Sequence, residues 1–383
     1  MKKIDHNFLP EQYKSDNELP INHNYLKEQF QDSDEIIKEI RALVEQGDFT
    51  LGKAVNNLEE EFKAITDCSF AIGVGSGTDA IFLALKALGI KEGDEIITTP
   101  YTFYATIGAI VTAGAIPKFV DIDADYNINP NEIEKAITEK TKAIVPVHWS
   151  GLICDMESIK KIASRNNLFI VEDACHAINA ERRGRKAGSF SSAACFSMHP
   201  LKNLNVWGDG GMITTNDKKL HDDLVLLRNH GLVERDTCEV FAYNSRLDSI
   251  QAIVGKHLIK KINSITDTRI QNANYFDQGL SKIPEITLPN RLEATKQVFH
   301  IYVIRAKERD SLKEYLINSG IDAKVHYPTP MHLQPAAKSF GYSEGDFPVS
   351  EMICKEVISL PVHEFITKDQ VNFVIQKVEE FYA

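Results

Sequence analysis

The chain predicts an α/β protein with a mostly parallel central sheet, helices on both of its faces, and a smaller α+β region at the C-terminal end. Three observations carry this expectation. Between about residue 68 and residue 215, short β-branched apolar runs alternate with stretches of helical periodicity. Beyond about residue 262 the alternation gives way to a few strands among helices. The 383 residues, 43% of them hydrophobic, suffice to bury a substantial core and to divide into two domains, expected over 30–255 and 256–383.

Taken in order, the first strand covers 71–74 and stops at Gly75-Ser76-Gly77. The helix after it, 79–88, carries apolar residues at helical spacing. A strand at 95–98 follows, and Pro100 precedes a helix over 102–113. Strands at 118–120 and 143–147, a helix over 156–166, and strands at 169–172, 193–196 and 212–214 complete the sheet. A long helix over 247–262 leads into the smaller region, where a strand at 300–304 and a helix at 311–319 are expected. The Pro-rich stretch 327–335 (YPTPMHLQP) reads as an ordered loop, and no internal repeat stands out. In open parallel sheets, ligands bind at the carboxyl ends of the strands.

Composition narrows the function. The net charge is −11, from 43 Lys+Arg against 54 Asp+Glu, and no basic stripe is interleaved with aromatics, so duplex nucleic acid is not an expected partner. The N-terminus is polar and no apolar run approaches the roughly twenty residues that span a bilayer. Neither export by this route nor a membrane span is expected. Six cysteines lack a C-x-x-C pair, which suggests no zinc or other metal site, no disulfide framework, and a reducing cytoplasm.

Three sites carry chemistry. The turn Gly75-Ser76-Gly77-Thr78-Asp79-Ala80 lies between a strand and a helix, where glycines let backbone N–H groups approach an anion and the helix dipole favours phosphate. A simple helix cap is the competing explanation. The strand 169–172 runs into Asp173, and a strand-end aspartate can anchor a pyridinium nitrogen and keep it protonated, unless it merely caps a turn. Lys202 follows, five positions after Ser197 and just before Gly208-Asp209-Gly210-Gly211. A lysine that forms an imine must be neutral when it attacks, so a desolvated, cation-lined pocket that lowers its pKa is expected around it.

Seven motifs occur in order: SGTDA at 76–80, PYTFYAT at 100–106, VEDACHA at 171–177, FSMHPLKN at 196–203, GDGGM at 208–212, YNSRLDSIQA at 243–252 and HYPTPMHLQP at 326–335. The set resembles the fold-type-I, aspartate-aminotransferase-like enzymes that use pyridoxal 5'-phosphate (PLP) on sugars, the DegT/DnrJ/EryC1/StrS family. The resemblance runs from about residue 49 to residue 363. It implies that Lys202 holds PLP as a Schiff base and that Asp173 pairs with its pyridine nitrogen. Phe103 resembles the aromatic that stacks on the ring, and Gly77, Thr78 and Ser197 the phosphate cradle. His176 sits near the position of the phenolic oxygen. Asn244 resembles the residue that reaches the phosphate from a neighbouring subunit, so a homodimer with shared active sites is implied.

For substrate contacts the candidates are His326, Tyr327 and His332, with packed or capping roles as the alternative, and His148 is open in the same way. The resemblance implies a two-stage, ping-pong transamination in which Lys202 acts as base. An amino acid, with glutamate expected, donates the amino group to a keto sugar linked to a nucleotide diphosphate. The GDGG turn resembles that of the family's 3-keto branch more than that of its 4-keto branch, so a 3-keto-6-deoxy sugar is expected, with a 4-keto sugar as the alternative. A dehydratase of this fold replaces the lysine by histidine, and a non-catalytic PLP-binding regulatory protein is expected to lose Lys202 or Asp173; both residues are present. Trp149-Ser150 and Trp207 depart from the family pattern and bear on the sugar pocket.

Overall fold

The computed structural model describes residues 19–383. Its main sheet has seven strands: β1 (Phe70–Val74), β2 (Glu95–Thr98), β3 (Ile116–Phe119), β4 (Thr141–Ile144), β5 (Phe169–Asp173), β6 (Ala193–Ser197) and β7 (Gly211–Thr215). They lie in the order β1-β7-β6-β5-β4-β2-β3. Only β7 runs against its neighbours, pairing antiparallel with β1 and β6. The expected mostly parallel sheet is therefore found, with every expected strand in place to within a few residues.

Along the strands other than β3, residues divide between two different cores. Ala71, Ile97, Ile144, Ile170, Phe196 and Met212 pack on one face, while Ile72, Ile96, Val145, Val171, Cys195 and Ile213 pack on the other. Both faces are covered, which is why the strands read as nearly continuous apolar runs. After a single helical turn at Leu26–Gln29 come helices α1 (Asp34–Gln46) and α2 (Lys53–Thr66), and α3 (Gly77–Ala87) follows β1 directly. α3 is apolar nearly all round, burying Ala80, Ile81, Phe82, Leu83, Ala84 and Leu85. α4 (Tyr104–Thr112) and α5 (Met156–Arg165) sit near their expected bounds, the latter capped by Asp155, whose carboxylate accepts the Ser158 N–H.

The long helix expected over 247–262 is broken. α6 (Ser249–Ile259) ends before Lys260-Lys261, and α7 (Ile262–Leu280) continues for 19 residues. No proline or glycine marks the break. Leu258, Ile259, Ile262 and Ile265 join one apolar cluster across it, so the periodicity gave no sign of the interruption.

Beyond α7 a three-stranded antiparallel sheet forms from β8 (Ile286–Thr287), β9 (Tyr302–Ala306) and β10 (Val357–Leu360), in that order. With α8 (Arg309–Asn318) and α9 (Lys368–Tyr382) it encloses a third core that includes Phe276, Leu280, Ile304, Leu316 and Val374. The segment before α1 joins this part: Ile21 bridges Ile321, and the Asn22 carbonyl lies 2.7 Å from His363 Nε2.

Candidate active site

Strand register brings the three motif sites together. Gly211, at the start of β7, stands opposite both Val74 at the end of β1 and Ser197 at the end of β6. Asp173, at the end of β5, stands opposite Cys195. The turn at 75–78, the acid and the lysine loop therefore meet at one end of the sheet, as the rule for open parallel sheets requires.

Gly77 opens α3, and the Ser76 hydroxyl caps that helix by accepting the Asp79 N–H at 3.1 Å. The first N–H groups of a helix have no partner inside it, so those of Gly77 and Thr78 are available to an anion. A Cβ on Gly77 would come within 2.7 Å of Ser197 Cβ and 3.0 Å of Cys175 Sγ. Glycine is needed there because the helix start lies against the end of β6, which also brings the Ser197 hydroxyl to the cradle. Ser245 holds the turn from outside, donating to Asp79 at 2.7 Å.

The acid pair divides its work. Asp173 accepts from the Thr106 hydroxyl at 2.7 Å and from the Cys175 N–H at 3.2 Å, and Thr106 in turn lies 2.7 Å from the Thr102 hydroxyl. Its carboxylate is thereby fixed in orientation while only 5% exposed. Glu172 points to the opposite face. It meets His148 Nε2 at 2.8 Å and accepts from the N–H groups of Gly188 and Phe190 and from the Ser191 hydroxyl. Burial pushes the Glu172 carboxyl up, and these donors together outweigh it, so its pKa is lowered. The Cys154 N–H lies 3.3 Å from His148 Nδ1, so the ring accepts there and donates from Nε2. His148 is thus a buried structural residue.

Lys202 lies in the loop between β6 and β7, its N–H donating to the His199 carbonyl at 3.0 Å. Burial lowers its pKa, while Cys175 and Asp173 act the other way. The expected cation-lined pocket is therefore corrected: desolvation alone favours the neutral amine, and the charged neighbour is an acid. Among the groups that feel the Lys202 charge are histidines whose pKa burial lowers, His176, His300 and His326. The rings of His176 and His300 are 4.2 Å apart, and Trp149 lies 5.3 Å from His176. Three buried atoms here, His176 Nδ1, His300 Nδ1 and Trp149 Nε1, have no hydrogen-bond partner among the described residues. Orphaned polar atoms of this kind fit a polar group supplied by a ligand.

Phe103 is half exposed, and its ring is 5.7 Å from Tyr327, which lies 5.4 Å from Trp149. Tyr327 thus lies between Phe103 and Trp149. His326 Nδ1 lies 2.9 Å from the Ser359 hydroxyl, and its carbonyl accepts the Tyr101 hydroxyl at 2.6 Å. Burial pulls the His326 pKa down to about 3. His332 has different company: Nε2 meets Glu351 at 3.0 Å and its ring packs 4.8 Å from Phe347. Its contacts serve the packing of that loop. Asn244 is exposed and bridges Asn229 in an isolated backbone pair. Because α6 starts at Ser249 with Asp248 before it, Asn244 is not that helix's cap.

Sequence reasoning passed over Thr106, which lies inside a quoted motif at helical spacing from Thr102, and His300, for which no motif gives a signal. It also passed over Tyr25, whose hydroxyl reaches the Lys202 carbonyl.

A central sheet of this order with a buried lysine, a strand-end aspartate and a helix-start anion cradle defines a fold-type-I transferase site. The model of the DegT/DnrJ/EryC1/StrS aminotransferase family matches residues 31–379, and the chain belongs to that family. A pleiotropic regulatory protein of Geobacillus stearothermophilus is 42% identical over 351 residues, 91% of this chain and 94% of that one. A dTDP-3-amino-3,4,6-trideoxy-alpha-D-glucose transaminase of Streptomyces venezuelae is 38% identical over 89% of this chain and 90% of its own. The crystal structure of S. venezuelae DesV in complex with a ketimine intermediate superposes with a TM-score of 0.92 at 37% identity, covering 94% of this chain and 98% of that one. The protein is accordingly an aminotransferase that uses PLP. The residues present fit that cofactor: the cradle of Gly77, Thr78 and Ser197, the fixed Asp173, the open ring of Phe103, and the unpaired Nδ1 of His176 beside the buried Lys202.

Proposed function

We propose that the protein moves an amino group from an amino acid, glutamate in our reading, to the keto carbon of a nucleotide-diphosphate-linked sugar, C3 of a 3-keto-6-deoxy sugar. The observation that carries this is the buried Lys202 beside Asp173, with unpaired polar atoms of His176, His300 and Trp149 around it. Relatives named for 3-amino sugar transamination support the position aminated.

PLP, when bound, supplies an electron sink for the carbanion formed at the donor Cα. Gly77, Thr78 and Ser197 would hold its phosphate, Asp173 its ring nitrogen, and Phe103 its face. Lys202 Nζ, kept neutral by burial, takes the proton from the donor Cα and returns it on the other side of the transfer. Histidines held neutral offer hydrogen bonds to sugar hydroxyls without adding positive charge beside that amine. No helix among the described residues is long and apolar enough to cross a membrane. We place the enzyme in the cytoplasm, where nucleotide sugars are made.

Half-reaction chemistry tests the proposal. Glutamate added to the yellow holoenzyme without any sugar is expected to bleach the visible band and release one equivalent of 2-oxoglutarate, and Lys202→Ala is expected to do neither. A holoenzyme whose band no amino acid bleaches would contradict it.

A further inference from the structure

Lys202 is anchored by its backbone as well as by its surroundings. The Tyr25 hydroxyl lies 3.3 Å from the carbonyl oxygens of both Leu201 and Lys202, to which it donates. It accepts from Arg269 Nη2 at 2.7 Å. Arg269 Nε donates to Glu364 at 3.0 Å, and Gln29 Nε2 reaches the other oxygen of that carboxylate at 3.3 Å. The Gln29 side-chain oxygen Oε1 accepts from Asn205 Nδ2 at 2.7 Å, and the same Asn205 amide donates to the Lys202 backbone carbonyl at 3.0 Å. The ring of hydrogen bonds closes on the lysine it began from.

Two members, Arg269 and Tyr25, are held elsewhere too. Arg269, 1% exposed, also donates to the Phe299 carbonyl at 3.2 Å, and the Tyr25 ring stacks on His363 at 4.8 Å. Burial pushes the Tyr25 phenol well above its usual range, against the opposing pull of Arg269, so it remains a proton donor at any working pH. The residue before the lysine shows why such a clamp is needed. Leu201 has φ of 71°, a left-handed conformation that a branched side chain disfavours and that persists only where the surroundings impose it. The hydrogen bond from Tyr25 to the Leu201 carbonyl is such an imposition.

We infer that Tyr25 is a positioning residue for Lys202, directing the lysine side chain by fixing the backbone at Leu201 and Lys202 and tying that loop to the N-terminal segment, α7 and the turn at Glu364. This rests on the reading of Lys202 as the cofactor lysine. Tyr25→Phe removes the hydroxyl and keeps the stacked ring. Two readouts decide. One is the rate at which the apoenzyme captures added PLP, followed by the visible band and by borohydride labelling of Lys202. The other is the pH midpoint at which the holoenzyme's visible band titrates.

The expected result is a capture rate lowered about three- to tenfold, as loss of one ordinary hydrogen bond gives, and a band midpoint moved by about half a pH unit. Gln29→Met, at the half-exposed side of the ring, is expected to shift both in the same direction by less. If Tyr25→Phe lowers only the thermal midpoint and leaves capture and titration at wild-type values, Tyr25 is merely structural and the inference is overturned. Should that variant not fold, unchanged capture by Gln29→Met overturns it instead. A wild-type protein that gives no visible band and no label on Lys202 sinks the functional reading itself, whereas normal wild-type capture with normal variants sinks only the clamp.

Discussion

Glu172 and Asp173 are adjacent acids with unrelated roles, because successive side chains of a strand point to opposite faces. The sequence displayed the pair and the apolar strand before it, but which acid faces the ligand follows from register: Asp173 meets Thr106 and the Cys175 N–H, while Glu172 meets His148 and Ser191. The histidines were less legible. His176 lay in a motif, yet only folding reveals that burial lowers its pKa together with those of His300, His326 and His363, the last two to about 3, and of His23 to about 4. A histidine whose folded pKa lies below its unfolded value of about 6.5 stabilises the fold fully above that pH. Below it the unfolded chain takes the proton first. Each such histidine then costs up to about 1.4 kcal/mol per pH unit as the pH falls toward its folded pKa. Glu172, lowered from 4.5, adds its own loss only below about that pH. The urea midpoint of unfolding is accordingly expected to fall steadily between pH 7 and pH 5, and a flat profile over that interval would contradict the buried neutral histidines.

Among the elements, the seven strands were legible because a sheet buried on both faces leaves an apolar run at every strand and a polar or glycine-rich turn at every end. What the runs do not carry is strand order. That β7 lies between β1 and β6 and runs against them is a property of the folded chain, and it places Gly211 under the α3 turn. A Cβ on Gly211 would fall 2.2 Å from the Ser76 carbonyl oxygen, a backbone atom with no rotamer to yield. Gly211→Ala is therefore expected to lower stability by about 2 kcal/mol, at the middle of the range for overpacking, and to weaken PLP binding because the Ser76–Gly77 turn must move. Equilibrium dialysis of PLP with the variant and a denaturant melt check both parts. A variant with wild-type values in each would show that the strand end shifts freely. By contrast, a Cβ on Gly77 would first meet side-chain atoms, Ser197 Cβ and Cys175 Sγ, and then Ser197 Cα at 3.2 Å, so its replacement disturbs the cradle through Ser197 and Cys175.

At the scale of the molecule, we keep the two-domain division as a proposal and regard α7 as the element that spans it: Ile262 and Ile265 pack with the large sheet, while Ala273, Phe276 and Leu280 pack with the small one. Assembly is the other proposal at this scale, namely a homodimer in which Asn244 of each chain completes the phosphate site of the other. Asn244 is exposed, and its neighbours Val240, Phe241 and Tyr243 present apolar surface, with Phe241 98% exposed. A two-fold axis beside such a patch would bury it and carry each loop to the partner's cradle. Within its own chain the adjacent Ser245 already reaches the α3 turn through Asp79, so the loop stands near the boundary of the cradle. Complementation distinguishes a shared site from a local one. Lys202→Ala and Asn244→Ala chains are each expected to be inactive or nearly so alone. After subunit exchange, one site of each heterodimer collects both lesions and the other collects neither, so half of the sites in heterodimers recover. With random mixing of equal amounts, heterodimers are half of all dimers, and about one quarter of wild-type activity per site is expected to return. No recovery after proven exchange, an active species that sediments as a monomer, or Asn244→Ala with unchanged PLP affinity would each place Asn244 outside the partner's site.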